Sequence, residues 1–165
     1  MNIFDKYTHD LLLQLNLNHV QYLVVGGYAV NLYGYIRTTG DIDLWIKPEN
    51  KENKINLLKA LKALQVDANS LDALKNFDFS KPLVFSDGIE PYKIDFITVL
   101  STVSFDEAWD NRNLVALDDL EIPFIHFDHL VLTKINTGRL KDKVDVEELQ
   151  NIQKLKSKKL VLPGI

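Results

Sequence analysis

Asp41 and Asp43 stand two residues apart in DIDLWI, a run that is otherwise apolar. In an extended strand, residues i and i+2 point to one face, so both carboxylates emerge together while Ile42 and Leu44 turn toward the core. Two like charges held together repel unless a cation or a shared proton relieves them, and hard divalent ions such as Mg2+ or Mn2+ select carboxylate oxygens. A third carboxylate, Asp95, lies in a second apolar run, KIDFI. If the two strands pair, Asp95 sits beside the first two, and three carboxylates make a site for one or two metal ions. Metals so placed serve phosphoryl transfer by neutralising charge around the phosphorus, with Asp95 as the candidate general base for an incoming hydroxyl.

Such chemistry also needs a hold on phosphate. Gly26 and Gly27 follow the apolar run YLVV and open a helical stretch, where backbone N–H groups free of Cβ crowding approach a phosphate closely. Between them and Asp41 lies YIRTTG, in which Arg37 can fork two hydrogen bonds onto phosphate oxygens and Thr38 and Thr39 add neutral donors.

The elements that must position these residues follow from periodicity. Apolar positions at helical spacing predict helices over 4–17 and 51–64, the second starting at Glu49 or Asn50. Residues 22–25 read as a buried strand, 29–33 as one or two helical turns, and 41–46 as a half-buried strand closed by Pro48. A short helix around Leu71, Leu74 and Phe77, then strands at 82–85, 93–99, 114–115 and 122–125, complete the sheet, with a helical turn at 105–109. Asp128 is placed to cap a helix that begins at Phe127, and 144–155 forms a last, strongly charged helix. The predicted fold is α/β of the α+β kind: a mixed sheet carries the three aspartates on one face, and helices pack on the other.

The chain's 165 residues, read as one domain over 1–165, suffice to bury a core without staples. It contains no cysteine, which excludes disulfides, Cys-based zinc sites and thiol nucleophiles and suits a reducing, cytoplasmic setting. No signal peptide and no membrane span are expected. A formal charge of −4 argues against nucleic-acid binding driven by overall charge, so any polyanion must be met locally. His126 and His129 lack a third ligand at suitable spacing and read as packing or capping residues.

Gly26-Gly27, thirteen residues, and then Asp41-Ile42-Asp43-Leu44 resemble the signature of the DNA polymerase β-type nucleotidyltransferase superfamily. The fuller string GGYAVNLYGYIRTTGDIDLWI is similar to the predicted bacterial nucleotidyltransferases that include AbiEii-like toxins and, more distantly, to lincosamide nucleotidyltransferases. The resemblance covers about residues 20–150 and implies the nucleotidyltransferase fold, with the two glycines beginning the site, Asp41 and Asp43 binding metal, and Asp95 matching the third carboxylate. In LTKINTGRLKDKVDVEEL, Lys134, Arg139, Lys141, Asp142 and Asp145 resemble the toxin-like group, where a lysine and a following Lys-Asp pair lie near the site. Read without that resemblance, Lys134 and Lys141 could equally be a solvated helix face, and Asp142 and Asp145 could charge the start of the last helix. One departure is Gly27, where many superfamily members have a serine hydroxyl.

The implied activity is transfer of a nucleoside monophosphate from an NTP to a hydroxyl. The acceptor would be tRNA or another RNA, in a toxin–antitoxin setting with an antitoxin partner, or a small molecule such as an antibiotic. A homodimer could supply a missing groove wall. The alternative is a degenerate member of the same fold that binds a nucleotide or a protein without turnover.

Overall fold

The computed structural model describes residues 4–88 and 93–161; the parts of the expected 1–165 domain at 1–3, 89–92 and 162–165 lie outside the described residues. The run YLVV forms β1 (Tyr22–Val25), buried along its whole length, as a central strand of apolar and β-branched residues should be. β2 (Asp41–Ile46) pairs with it antiparallel, and β4 (Lys93–Ile97) pairs with β2 in parallel. β3 (Val84–Asp87) closes one edge against β4, and β6 (Leu120–Phe124) and β5 (Asn113–Leu117) close the other. The sheet is mixed, as expected, in the order β3-β4-β2-β1-β6-β5.

The helices are α1 (Lys6–Leu17), α2 (Gly26–Leu32), α3 (Lys51–Ala63), α4 (Ala68–Asn76), α5 (Phe105–Asp110), α6 (Phe127–Lys134) and α7 (Leu140–Val161). Asp5 caps α1 by accepting from the Thr8 N–H, and Asn50 caps α3 by accepting from that of Asn53. α1 packs beside α3, burying Leu11, Leu12, Leu15, Leu57 and Leu61. Buried Asn53 ties α3 to the strand entry: its side chain accepts from the Gln21 N–H at 2.7 Å and donates to the Gln21 carbonyl at 3.1 Å. On β2 and β4, Ile42, Leu44, Ile94 and Phe96 are buried while Asp41, Asp43, Lys93 and Asp95 are only half-covered, which is the period-2 alternation in the sequence. Each fully buried Leu, Ile or Phe contributes about 1.5–3 kcal/mol relative to exposure, so this apolar side holds the carboxylates in register. No described helix is long and apolar enough to cross a membrane.

The structure departs from the sequence expectations in several places, among them the strand bounds at β4, β5 and β6 and the end of the last helix, which runs to Val161. α2 begins at Gly26, three residues before the expected turn, because Gly26 takes a left-handed φ of 64° and bends the strand directly into the helix. β3 lies at Val84–Asp87 rather than 82–85, since an edge strand with half-exposed residues is placed by its partner, Phe85 stacking on Phe96 at 4.5 Å. The cap of α6 is His126, whose Nδ1 accepts from the Asp128 N–H; Asp128 itself sits in the first turn. α7 starts four residues earlier than expected, at Leu140.

Candidate active site

The parallel register of β2 on β4 sets Asp43 beside Asp95 and Asp41 beside Lys93, so three carboxylates and one ammonium form a two-by-two array on one face. Lys93 Nζ lies 3.5 Å from Asp41 Oδ2 and 3.4 Å from Asp95 Oδ2. Asp95 Oδ1 accepts from the Ser86 hydroxyl at 2.5 Å, across the β3–β4 pair. Asp41 Oδ1 is buried and finds no hydrogen-bond partner among the described residues. Burial first, then Asp95 and Asp41, push the Asp43 carboxyl up to about 6 from its ordinary 3.8, against partial relief from Lys134 and Lys93. No group of three His, Cys, Asp or Glu side chains among the described residues is gathered closely enough to hold a metal ion as it stands. The same carboxylates nevertheless suit a cation: one buried oxygen lacks a donor, and one carboxyl is pushed toward its protonated form.

These aspartates line a cleft of about 240 Å3 together with Gly26, Gly27, Thr39, Lys134, Arg139 and Lys141. A Cβ at Gly26 would lie 2.1 Å from Asp43 Oδ2, and one at Gly27 2.4 Å from Thr39 Oγ1, so both glycines let backbone come close where a side chain would collide. Larger hollows exist, such as one of about 610 Å3 against α1, α3 and α4, but that one shares no lining residue with the cleft.

The wall facing the aspartates is cationic and crosslinked. Arg37 lines the cleft, yet its fork is turned onto Asp145, with Nε and Nη2 donating to the two carboxylate oxygens at 2.7 and 2.8 Å. The expected phosphate clamp is thus engaged within the protein. Lys134 Nζ pairs with Asp145 at 2.9 Å and Asp142 at 3.0 Å; Arg139 Nε and the Thr137 hydroxyl complete Asp142 at 2.8 and 2.7 Å. Asp142 and Asp145 are 1% and 0% exposed and act as buried anchors, Asp142 from within the first turn of α7, where the sequence reading allowed it. Burial works to raise both carboxyls, but the bonds from Thr137, Lys134 and Arg139 on Asp142, and from Arg37 and Lys134 on Asp145, outweigh it and hold both below the ordinary range.

The structure brings Asp41, Asp43, Asp95, Gly26, Gly27, Arg37, Lys134 and Lys141 to one cleft but leaves Thr38 exposed on the outside, offering only its carbonyl to Arg37 Nη1. Thr39 takes the inward place. Lys93 and Ser86 were not singled out by sequence. The first carries a readable signal, sharing the alternation of Asp95 two residues on, whereas Ser86 is placed by strand pairing alone.

Structural likeness agrees with this architecture. The antibiotic-resistance factor ANT(2'')-Ia is 12% identical and superposes with a TM-score of 0.51, over 94% of this chain and 91% of that one. An antigenic nucleotidyltransferase-like protein from Paracoccidioides brasiliensis is 15% identical with a TM-score of 0.51, over 90% and 75%. The lincomycin-bound lincosamide antibiotic adenylyltransferase LnuA is 17% identical with a TM-score of 0.48, over 92% and 99%. No curated protein matches the sequence. At these identities the first two likenesses speak to fold. The family described as nucleotidyltransferase of unknown function (DUF6036) matches residues 4–161, and the chain belongs to it.

Proposed function

We propose that this protein transfers a nucleoside monophosphate from an NTP to a hydroxyl-bearing acceptor. The observation that carries this reading is the pairing, across one small cleft, of a three-carboxylate wall with a wall bearing Lys134, Arg139 and Lys141. A metal-bound triphosphate has that charge pattern, divalent cation on one side and polyanion on the other. Asp41, Asp43 and Asp95 would hold Mg2+ or Mn2+, and the fit is supported by the unpartnered Asp41 oxygen and the raised Asp43 carboxyl. When bound, the metal neutralises charge developing around the phosphorus.

The chain's own residues do the rest. The backbone at Gly26 and Gly27 approaches the phosphates without Cβ obstruction, while Lys134 and Lys141 face their negative charge. Arg37 acts at one remove, its guanidinium fixing Asp145 and through it Lys134. Asp95, the carboxylate nearest the β3 edge, accepts the proton of the attacking hydroxyl. The AbiEii-like resemblance points to tRNA or another RNA as acceptor, and the lincosamide-like resemblance to an antibiotic hydroxyl.

The test is incubation with each α-labelled NTP, Mg2+, and in turn total tRNA and a panel of lincosamides and aminoglycosides. Label transfer with pyrophosphate release, abolished in an Asp41→Asn/Asp43→Asn variant, is expected. Failure of every NTP to bind in the presence of Mg2+, read by calorimetry, would sink the reading.

A further inference from the structure

Asp95 differs from the other two carboxylates in having both oxygens engaged within the protein. Its Oδ1 accepts from the Ser86 hydroxyl at 2.5 Å, and its Oδ2 is ion-paired with Lys93 at 3.4 Å. Asp41 keeps a buried oxygen without a partner, and Asp43 has neither a lysine nor a hydroxyl within hydrogen-bond distance among the described residues. The backbone imposes this asymmetry. Lys93 precedes Asp95 by two residues on β4, so both project from the same face, and the β2–β4 register drops the ammonium beside Asp41, reaching the two outer carboxylates at once. Ser86 comes from the neighbouring edge strand, directly across from Asp95.

From this geometry we infer that Lys93 and Ser86 form a latch on Asp95, holding the third carboxylate away from divalent metal until at least one of the two partners gives up its oxygen. The latch rests on the reading that Asp41, Asp43 and Asp95 are the metal's carboxylates. Asp43 and the unpartnered Oδ1 of Asp41 are the open half of the site and take a cation first. Asp95 joins only when the Lys93 ammonium leaves its Oδ2 or the Ser86 hydroxyl leaves its Oδ1. A divalent ion arriving at the array meets the ammonium as a competitor for the same oxygens, so Lys93 weakens metal binding in the absence of substrate. A displaced ammonium then remains beside the cleft-lining Asp41 and Asp95, where a phosphate would be its next partner. The two latch residues are positioning residues in this scheme, acting through Asp95.

Titration of Mn2+ alone, with free ion read by electron paramagnetic resonance, tests the latch without any need for turnover or a known acceptor. Lys93→Met keeps the length and removes the charge, and it should tighten Mn2+ binding by about tenfold, the scale expected when two partly exposed ion pairs need no longer be broken. Ser86→Ala, on an exposed residue that the fold does not need, should tighten it by a smaller factor. In an Asp95→Asn background the Ser86→Ala gain should vanish and the Lys93→Met gain should shrink to what release of Asp41 alone contributes, which a merely structural role for either residue would not produce. Thermal melts should show both variants folded and more strongly stabilised by Mn2+ than the wild type. Mn2+ binding that is lost in Asp41→Asn/Asp43→Asn but unchanged or weakened in Lys93→Met and Ser86→Ala overturns the latch while leaving the metal reading in place. No Mn2+ binding by wild type or either latch variant overturns both.

Discussion

One wall of the cleft is built from paired strands and the other from helix ends and a loop, and the two handle charge in opposite ways. On the strand wall, β2–β4 register forces Asp41, Asp43 and Asp95 onto one face with Lys93 as their resident cation, and Asp43 is driven up to about 6. On the helical wall, Asp142 and Asp145 are just as acidic in sequence but are saturated by Arg37, Lys134, Arg139 and Thr137 and are held below the ordinary range. Backbone register can place like charges together against their repulsion, whereas long side chains on helices and loops move until each charge is matched. The strand wall therefore has unmet electrostatic demand for a ligand, and the helical wall supplies a stiff platform.

If that contrast is right, removing charge from the two walls should have opposite consequences. Asp41→Asn/Asp43→Asn should lower nucleotidyl transfer by about a thousandfold or more, on the scale of removing transition-state charge stabilisation, while leaving the urea midpoint of the metal-free protein unchanged or raised. Asp145→Ala should do the reverse to the fold: it leaves the guanidinium of Arg37 and the ammonium of Lys134 without their shared partner, at a cost of about 3 kcal/mol, read as a lower urea midpoint. Equal destabilisation by both variants would break the comparison.

The strand wall was far more legible in sequence than the helical one, for the same physical reason. Alternation in DIDLWI and KIDFI carries the two strands and the facing of Asp41, Asp43 and Asp95, because period-2 geometry links spacing to direction, although β4 stops at Ile97 rather than at the expected 99. Lys93 obeys the identical rule and could have been read from it. Ser86 could not, since only the pairing of an edge strand brings it to Asp95. The partnership of Arg37 with Asp145 spans 108 positions and leaves no local trace; the guanidinium fork suits phosphate and carboxylate alike. Thr38 and Thr39 lie in a segment with no repeat, where nothing in the sequence says which of them faces inward. The His126 cap escaped for a similar reason, Asp being the commoner cap and standing two positions on.

The walls should also separate by pH. The folded-state carboxyl of Asp43 binds its proton more tightly than the unfolded chain does, so between about pH 4 and 6 unfolding releases that proton, and the metal-free protein loses stability as pH rises through this window. The loss is on the order of 2–3 kcal/mol by the size of the shift. Asp142 and Asp145 are shifted the other way, and what they contribute is present above the unfolded carboxyl value and disappears as pH falls below it. Urea midpoints across pH 4 to 7 should therefore show a decline that Asp43→Asn abolishes and saturating Mg2+ suppresses. A decline that persists in Asp43→Asn would assign the titration to another group.

The smallest expected effect lies on the helical wall, at the lysine its network does not use. Lys141 lines the cleft, is exposed, and makes no ion pair among the described residues, unlike Lys134 and Arg139. An exposed ammonium with no fixed partner meets a bound phosphate in high dielectric, so Lys141→Ala should raise KM for the NTP by about threefold to fivefold and leave kcat nearly unchanged, an effect of about 1 kcal/mol or less. Because the contact is solvated, the difference between variant and wild type should shrink as salt is raised. A fall in kcat at unchanged KM would instead mean that Lys141 meets charge developing only in the transition state, and that the helical wall takes part in the chemistry rather than only in holding the triphosphate.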